Sequence, residues 1–464
     1  MKKRNYALIT PEIEHYAALC AGNVIDRTLY ARFQVNRGLR DLNGNGVLTG
    51  LTEISEVHGR TPDGIPCEGE LYYRGYDIHD LIRGFLADGR FGFEEIIYLL
   101  LFGALPDPEA LKQFQATLGS YRSLPNSFVR DIIMKAPSSN MMNSMARSVL
   151  TYYSYDPKAE SSSLENVLRQ CIQLIAMFPQ LAVYSYQAYA YYLSDSTSFF
   201  FHDADPTLST AENILHMLRA DGKYSLTEAR ALDMALVVHA EHGGGNNSTF
   251  TTHVVTSTGT DTYAAISAAL GSLKGPKHGG ANIKVCHMFE EIKRQVRDWS
   301  DEQELSAYLC RILYKEAFDH SGLIYGIGHA IYSKSDPRAA VFKSFVRQLA
   351  AEKGMEKEFA LYEAVERLAP EIIAGERKMY KGVCANVDFY SGFAYQLLGI
   401  PEELFTPLFA IARIAGWSAH RLEEMINGNR IIRPAYKAVQ PHQAYLPLAD
   451  RPVVPILAFS EEDE

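Results

Sequence analysis

The chain has 464 residues, of which 47% are hydrophobic and 22% are charged, as is usual for a globular protein large enough for more than one domain. Its net charge of −10 argues against nucleic acid as the main partner, because phosphate binding needs a basic patch. A small anionic substrate remains compatible with this charge, since it needs only a few buried arginines.

Targeting and membrane signals are weak. The first 16 residues, MKKRNYALITPEIEHY, are basic but contain Pro11 and two glutamates before any apolar segment forms, so no secretory signal is expected. The most membrane-like stretch, 171–193, contains Pro179, several glutamines and many tyrosines. We therefore predict buried core helices there, and a cytoplasmic protein without a membrane partner. None of the six cysteines forms a CxxC pair, so free thiols are expected.

The secondary-structure patterns predict a mostly α-helical protein. A strand-like run at 65–74, IPCEGELYYR, follows the turn residues at 61–64 and predicts a short N-terminal β-hairpin. Helical spacing of apolar residues dominates the rest of the chain. The predicted helices span residues 91–105, 208–219, 227–239, 262–273, 282–296, 337–352 and 401–427.

The segment HAEHGGGNNST at 239–249 admits two interpretations. His239, Glu241 and His242 are residue types that ligate zinc, and a zinc hydrolase built on the two histidines would contain bound metal. However, Glu241 lies on another helical face, and no third ligand motif is evident, so we expect no metal. The glycine run is not a P-loop, because it lacks the Gly-Lys-Ser/Thr ending, but its backbone N–H groups suit an anion.

The motif GPKHGGAN at 275–282 places His278 in a glycine-rich turn after a helix rich in small residues. The two glycines after His278 allow close approach of the backbone to a ligand. A new helix is predicted to begin near Ala281, and its positive end favours a neutral imidazole. A neutral histidine can donate a hydrogen bond to a developing enolate oxygen. The alternative is a structural histidine in a helix–helix turn.

A second glycine-rich motif, GIGHAIY at 326–332, carries His329, and the sequence SDPR follows it. Asp336 and Pro337 predict a helix start, with Asp336 as the N-cap. Helix N-termini bind anions, and the guanidinium of Arg338 in the first turn is suited to a carboxylate. A solvent-facing arginine is the alternative.

The third motif, NVDFYSGF at 386–393, contains Asp388 just before a helical pattern. Asp388 is therefore either a helix N-cap with a lowered pKa, or a general base whose pKa is raised by its apolar neighbours. Two histidines and one carboxylate are sufficient to take a proton from carbon and to return protons to oxygen.

Together these motifs resemble the citrate synthase family. The segment 239–282 is similar to the family's signature around the first catalytic histidine, GHAIY with SDPR to that around the second, and NVDFYSGF to that around the catalytic aspartate. Further family landmarks keep the same order over about residues 40 to 440: GVLTGLTEISEVHG, ELYYRGYDIHDL, FEEIIYLLLFGALP, ARIAGWSAHRLE and RIIRP.

The resemblance implies three catalytic roles. Asp388 would remove a proton from the methyl group of acetyl-CoA, His278 would hydrogen-bond the thioester oxygen, and His329 would protonate the keto oxygen of oxaloacetate. Four ligands of oxaloacetate are also implied, and the last of them would reach into the partner subunit's site: His242, Arg338, Arg413 and Arg433.

The implied coenzyme A contacts depart from the family pattern. Position 330 is alanine where many bacterial members carry arginine, and position 333 is serine where a basic residue usually helps hold the phosphates. The loop 322–329 resembles the one that wraps the adenine part of coenzyme A. The expected contacts are Ile327, Gly328, Ala330 and Lys334, with Lys334 as a substitute for the basic residue.

The resemblance also implies the architecture and the reaction. The fold would be multihelical with two domains, a large one at 1–277 and 386–464 and a small one at 278–385. The enzyme, a homodimeric acyltransferase, would condense acetyl-CoA, its co-substrate, with oxaloacetate to give citrate and would need no metal or redox cofactor. The alternatives are 2-methylcitrate synthase, which uses propionyl-CoA, and a catalytically silent member with a binding role.

Overall fold

The structure is a computed structural model that describes residues 9–41, 46–61, 63–194, 200–329, 331–377, 382–428 and 430–451. The predicted turn residue Pro62 and the predicted coenzyme A contact Ala330 lie outside this part of the chain. The chain divides into two compact units, one comprising Met1–Gly50 and Arg433–Glu464 and the other Leu51–Ile432.

The first unit contains two short helices, α1 at Pro11–Ala21 and α2 at Thr28–Arg32, and neither contains a buried residue. Within α1, Ile13, Tyr16 and Leu19 are each more than half exposed, at 52%, 58% and 52%. Their spacing of three residues puts them on one side of the helix. The described part of this unit therefore presents apolar side chains to its surroundings.

The second unit opens with a small antiparallel sheet of strands β1 at Ser55–Arg60, β2 at Pro66–Tyr73 and β3 at Tyr76–Asp77, in that order. Ser55 pairs with Tyr73 across the first two strands. The predicted hairpin is confirmed, but it spans the turn at 61–64 instead of following it. Strand β1, SEVHGR, was not predicted because its charged residues and glycine do not resemble a strand.

Helices make up most of the second unit, and every helix predicted from the sequence is present within a few residues of its predicted ends. Its described α-helices are α3 Ile78–Ala87, α4 Phe93–Phe102, α5 Pro108–Ser120, α6 Met141–Tyr152, α7 Leu164–Leu193, α8 Thr210–Leu218, α9 Leu226–His239, α10 Asn247–Thr256, α11 Thr262–Leu273, α12 Ala281–Gln295, α13 Glu302–Leu313, α14 Pro337–Lys353, α15 Glu356–Arg377, α16 Val387–Leu397 and α17 Phe405–Asn427.

Helix α7 covers the membrane-like stretch as one continuous helix of 30 residues with Pro179 inside it. Among the described residues it is the one helix long and apolar enough to cross a membrane by length and composition. However, 83% of its most apolar window is buried within the protein, as expected for a core helix.

Helix α17 lies at the centre of the core and packs against α4, α7, α9 and α10. Its middle is buried on all sides, and Trp417 is fully buried. A helix buried all round has no solvent-facing side for polar residues, so the buried Arg413 and His420 on α17 need specific partners or ligands.

Candidate active site

The β-hairpin holds the turn that carries His242. The hydroxyl oxygen of Tyr73 lies 3.1 Å from the carbonyl oxygen of Val237 and 3.0 Å from that of Glu241, at the end of α9. Ser55 donates to Glu241 Oε1 over 3.0 Å and accepts from the backbone N–H of Gly243 over 3.0 Å. These bonds satisfy groups that a helix terminus leaves unpaired, and they fix the backbone on both sides of His242.

Three rings meet beside this turn. His242 Nε2 lies 3.2 Å from the hydroxyl oxygen of Tyr332, and the His242 and His329 rings are 5.1 Å apart in an edge-to-face arrangement. The His329 ring stacks on Tyr332 at 4.7 Å. Burial and the cation of Arg338 lower the pKa of His242 well below its ordinary value, so His242 is neutral.

The tautomer of His329 is set by its own backbone. Its Nδ1 accepts hydrogen bonds from the N–H groups of Ile331, at 3.1 Å, and Tyr332, at 3.2 Å. A nitrogen that accepts carries no proton, so the proton of the neutral ring is on Nε2. Burial and the nearby Arg338 lower the pKa of His329 to about 4. His329 is therefore a neutral donor through Nε2.

His278 is held in the opposite tautomer. Its Nε2 accepts from the backbone N–H of Ser248, at 3.3 Å, and lies 3.0 Å from the Ser248 hydroxyl oxygen. The proton of the ring is therefore on Nδ1. Trp417 Nε1 donates to the same hydroxyl over 3.1 Å. Burial and the cation of Arg413 lower the pKa of His278 to about 4, which agrees with the predicted neutral imidazole.

The glycine after His278 has a different role from the predicted one. A Cβ on Gly279 would lie 2.3 Å from the carbonyl oxygen of Leu273 and 2.9 Å from Thr406 Cγ2. Thr406 also donates to the Gly279 carbonyl over 2.9 Å. Gly279 therefore permits close packing within the protein, rather than the approach of a ligand.

Asp388 is not the cap of its helix. The N-cap of α16 is Asn386, whose side chain accepts from the backbone N–H of Asp388 over 3.0 Å. Asp388 is the second residue of the helix and is partly buried. Burial outweighs the lowering effects of Arg338 and Arg413 and raises the pKa of Asp388 to about 6. The carboxyl group thus has the property that the general-base interpretation requires.

Arg338 is buried, so the solvent-facing alternative does not hold. Asp336 caps α14, as predicted, and its carboxylate also accepts from Arg338 Nε over 3.0 Å and from Nη2 over 2.7 Å. Both side chains are nearly inaccessible, with 2% and 3% of their surface exposed. The pair uses one edge of the guanidinium, and among the described residues the Nη1 edge has no hydrogen-bond partner.

Arg413 is a buried cation without a carboxylate partner. It is 1% exposed, its Nε donates to the carbonyl of His239 over 2.8 Å, and its guanidinium carbon lies 4.7 Å from the ring centre of Phe409. Within the described chain, no acidic side chain comes within 4.0 Å of its nitrogens. Leaving a guanidinium buried without a counterion is costly, so Arg413 is suited to an anionic ligand.

The two arginines connect the other predicted residues. Arg413 acts on the pKa values of His242, His278 and Asp388. Arg338 acts on those of His242, His329 and Asp388. Six predicted residues therefore share one electrostatic environment, with two cations, three neutral histidines and one carboxyl group: His242, His278, His329, Arg338, Asp388 and Arg413.

His239 does not join this set. Its Nδ1 lies 2.7 Å from the carbonyl oxygen of Ala235, four residues earlier on α9, and its ring packs against Phe409. Burial lowers its pKa to about 3. Within the described part of the chain, the group of side chains arranged to hold a metal ion does not include His239 or His242.

The remaining predicted contacts are either bonded through their backbone or exposed. Ile327 forms a β-bridge with Ala385, and the N–H of Gly328 donates to the carbonyl of Cys384 over 2.7 Å. Lys334 is exposed, and Arg433 is exposed within the other unit. Their roles stay predictions.

A profile of the family described as "Citrate synthase, C-terminal domain" matches residues 41–435. The chain belongs to the citrate synthase family. As a member it is an enzyme of the acyltransferase class, and its multihelical fold confirms the fold predicted from the sequence.

Relatives in this family carry two different names. The chain is 33% identical to 2-methylcitrate synthase 1 of Corynebacterium glutamicum over 430 residues, covering 91% of this chain and 98% of the relative. It is also 33% identical to citrate synthase of Haloferax volcanii over 409 residues, covering 86% and 94% of the two chains. Overall identity therefore does not decide between the two names.

Solved citrate synthase structures have the same fold. The enzyme of Pyrobaculum aerophilum superposes with a TM-score of 0.72 at 30% identity, covering 89% of this chain and 95% of its own. The enzyme of Thermoplasma acidophilum, in a ternary complex with carboxymethyl coenzyme A and oxaloacetate, also gives a TM-score of 0.72 at 26% identity. This match covers 90% of this chain and 99% of the other.

Several supporting residues were not predicted from the sequence. Ser55 and Tyr73 hold the His242 turn, Ser248 orients His278, and Asn386 caps the Asp388 helix. Ser55, Tyr73 and Ser248 lie within the quoted family landmarks, but their sequence context does not reveal which distant group each contacts. For Asn386, a capping residue two positions before Asp388 was the available signal.

Proposed function

We propose that this enzyme condenses acetyl-CoA with oxaloacetate to give citrate and coenzyme A. The observation that carries the proposal is the placement of two buried guanidinium groups beside neutral histidines and a carboxyl group of raised pKa. Arg338 has one edge without a hydrogen-bond partner among the described residues, and Arg413 has no carboxylate partner there. That combination suits a dicarboxylate next to a weak carbon acid.

Oxaloacetate would bind first through its carboxylates. The free Nη1 edge of Arg338 and the unpaired nitrogens of Arg413 would each donate hydrogen bonds to one carboxylate, since a guanidinium fork matches carboxylate geometry. His242, held by Tyr332 and by the turn after α9, would contact the same substrate. Binding would offset the cost of the buried cations, so these sites favour a dianion over a neutral ketone.

Enolisation would follow at the acetyl group. The ionised carboxylate of Asp388 would take a proton from the methyl carbon while His278 donates a hydrogen bond from Nδ1–H to the thioester oxygen. A neutral imidazole suits an enol or enolate oxygen better than an imidazolium would, because the neutral ring is already the form present at neutral pH. The two residues thus act together on a carbon acid that neither would activate alone.

Carbon–carbon bond formation would then involve His329. The enol carbon attacks the keto carbon of oxaloacetate, and the keto oxygen takes the proton from Nε2 of His329, whose Nδ1 is held by two backbone N–H groups. In net terms the proton that Asp388 took from the methyl group replaces the one that His329 gave to the keto oxygen, so both residues return to their starting states. Water then cleaves the citryl-CoA thioester: its oxygen bonds to the acyl carbon as the C–S bond breaks, one of its protons goes to the thiol of coenzyme A, and the other is released as the new carboxyl group of citrate ionises.

The predicted domains are part of the proposal. Residues 278–385 would form a small domain that closes over the cleft of the large domain at 1–277 and 386–464, because an enol must be protected from water. Asn386 ties the segment at this boundary to the proposed small domain, since its backbone N–H donates to Gly326 O and its side chain to Gly328 O, both over 2.9 Å. Ile327, Gly328, Ala330 and Lys334 would contact coenzyme A.

The second candidate is 2-methylcitrate synthesis from propionyl-CoA, which the relatives of that name support. One extra methylene is worth only about 1–3 kcal/mol of discrimination in an apolar pocket, so the choice has to be measured. The test is thioester loss with each acyl-CoA at matched concentrations, with and without oxaloacetate.

We expect fast, oxaloacetate-dependent loss that favours acetyl-CoA. A preference for propionyl-CoA would transfer the assignment to 2-methylcitrate synthase. Absence of loss with both thioesters, in a protein that still shows a cooperative thermal transition, would contradict the proposal and leave the silent, binding role.

A further inference from the structure

Two histidines outside the proposed substrate site face each other across α10 and α17. His253 Nε2 lies 3.0 Å from His420 Nδ1. His420 is fully buried, whereas 14% of the His253 side chain is exposed. When each ring carries its proton on the outer nitrogen, the two inward lone pairs face each other, and the gap between them is suited to a positive charge.

The remaining nitrogen of each ring is bound to a carboxylate. His253 Nδ1 lies 2.8 Å from Glu424 Oε2, and His420 Nε2 lies 3.2 Å from Glu241 Oε1. Histidines that ligate metals commonly donate their other N–H to a carboxylate, which fixes the tautomer and increases the basicity of the ligating nitrogen. Both inward nitrogens are thereby set as acceptors.

A third group points at the same place. Glu423 Oε2 is buried without a hydrogen-bond partner among the described residues and lies 3.7 Å from His420 Nδ1. Its other oxygen, Oε1, accepts from the backbone N–H of Glu53 over 2.8 Å, which holds the side chain in place. The ligand atoms of His253, His420 and Glu423 all lie within 4.8 Å of one another.

The local charge also favours a cation. Three carboxylates surround the two rings, and burial leaves them little solvent to share. A divalent ion between the rings would offset this concentration of negative charge.

We infer that His253 Nε2, His420 Nδ1 and Glu423 Oε2 form a binding site for a divalent transition-metal ion of the zinc class. Nitrogen ligands on a tetrahedral zinc ion lie about 3.3 Å apart, so the 3.0 Å separation needs only a small opening. A water molecule would complete the coordination, since 14% of the His253 side chain is exposed. The inference does not depend on the proposed reaction, since none of the three ligands takes part in it.

The competing occupant is a single proton. In that arrangement His420 would donate from both nitrogens, to Glu241 and to His253, and His253 would donate to Glu424. This series of hydrogen bonds would satisfy the nitrogens of both rings but would leave Glu423 Oε2 without a partner.

The test uses the full chain, freed of metal by chelation and then titrated with Zn²⁺ and with Co²⁺. Binding is followed by calorimetry and by the visible absorption of tetrahedral Co²⁺. We expect one equivalent of metal per chain and a Co²⁺ spectrum typical of mixed nitrogen and oxygen ligands. His253→Gln and the isosteric Glu423→Gln should each weaken Zn²⁺ binding at least tenfold, and the metal should raise the Tm of the unsubstituted protein only.

His287→Gln is the matched control, because His287 forms an exposed pair with Glu402 at 2.9 Å, away from this cluster. It should bind metal like the unsubstituted protein. Thermal melts of the metal-free variants verify that each one folds. The inference would be overturned, in favour of the shared proton, if the unsubstituted protein bound neither Zn²⁺ nor Co²⁺. It would also be overturned if both cluster variants bound metal as tightly as the unsubstituted protein does.

Discussion

At the residue scale, Asn386 and Asp388 lie two positions apart at the start of α16 and have different roles, one structural and one chemical. Asn386 accepts the N–H bond that caps α16, which leaves the carboxyl group of Asp388 without a capping bond. A carboxylate that accepts backbone N–H bonds has a low pKa, whereas burial raises it. Burial therefore raises the pKa of Asp388 to about 6, with no capping bond to oppose it.

The substitution Asp388→Asn should abolish most condensation activity, lowering kcat by about 10²- to 10⁴-fold, as for loss of a general base. Its Tm should stay equal or rise. The folded-state pKa of Asp388 lies above the unfolded value, so its stabilising contribution is present below about pH 4 and is lost as the pH rises through 6. Asp301→Asn, at the cap of α13, is the control. Near-normal turnover in Asp388→Asn would exclude Asp388 as the base.

The pH dependence of kcat/KM should show an acid limb near pH 6. Activity requires ionised Asp388, so kcat/KM should rise with pH through its pKa of about 6. His278 and His329, with pKa values of about 4, should stay neutral over that range and add no second limb above pH 5. A flat profile between pH 5 and 7 would contradict the assignment, as would the same limb in the residual activity of Asp388→Asn.

The sequence predicted residues whose signals are local. Asp336 and Pro337 define a helix start by themselves, and the structure has that start. Asn386 and Asp388 are both residue types that cap helices, so the choice between them required the backbone geometry. Tyr73 contacts Glu241 across 168 residues, and no pattern within either segment identifies the other.

At the scale of elements, Asn386 joins two active-site segments. It caps α16, which carries Asp388, and its side-chain nitrogen donates to Gly328 O in the loop that carries His329. The backbone N–H of Asn386 also donates to the carbonyl of Gly326 in the same loop. The Asn386 side chain therefore contributes, together with backbone bonds, to the relative positions of the base and the acid.

Asn386→Ala should lower both stability and activity. Loss of the cap should cost about 1 kcal/mol, measured by denaturant unfolding, and kcat should fall more than tenfold, since small misplacements of catalytic groups are costly. Asn140→Ala, which removes the cap of α6 by the same kind of bond, is the matched control and should lose stability only. Equal kcat in the two variants would show that the Gly328 bond does not position the site.

One long helix was not predicted as such, because its proline was taken to interrupt it. The stretch around Pro179 is one continuous helix. An internal proline costs about 3 kcal/mol, which local reasoning treats as an end. In α7 the residues on both sides of Pro179 are buried, and the packing of such a long core helix outweighs that local cost.

At the scale of the whole molecule, the first unit presents the apolar side chains of α1 and an exposed Arg433. The homodimer implied by the family resemblance would give both features a purpose, because a partner subunit would cover the apolar side chains and receive Arg433 in its own site. The catalytic unit would then be the dimer.

Mixing two inactive variants tests this sharing. Arg433→Ala and His278→Ala protomers should each be inactive alone, and subunit exchange should restore part of the activity, since one site of each mixed dimer would have both residues intact. Exchange is verified by mass spectrometry of tagged subunits, and Lys437→Ala is the control for the exposed segment. Failure to recover activity despite verified exchange would contradict a shared site.

The close contact between the hairpin and the segment after His329 affects folding during synthesis. A Cβ on Gly69 would lie 2.2 Å from the carbonyl oxygen of Ser335, and the Gly69 N–H donates to Ser335 Oγ, 266 residues later in the chain. At about 5–20 residues per second, the ribosome needs roughly 13–50 s to supply that partner. During this interval β1 and β2 lack part of their final packing, so this part of the nascent chain stays incompletely packed for longer than the formation of its own helices requires.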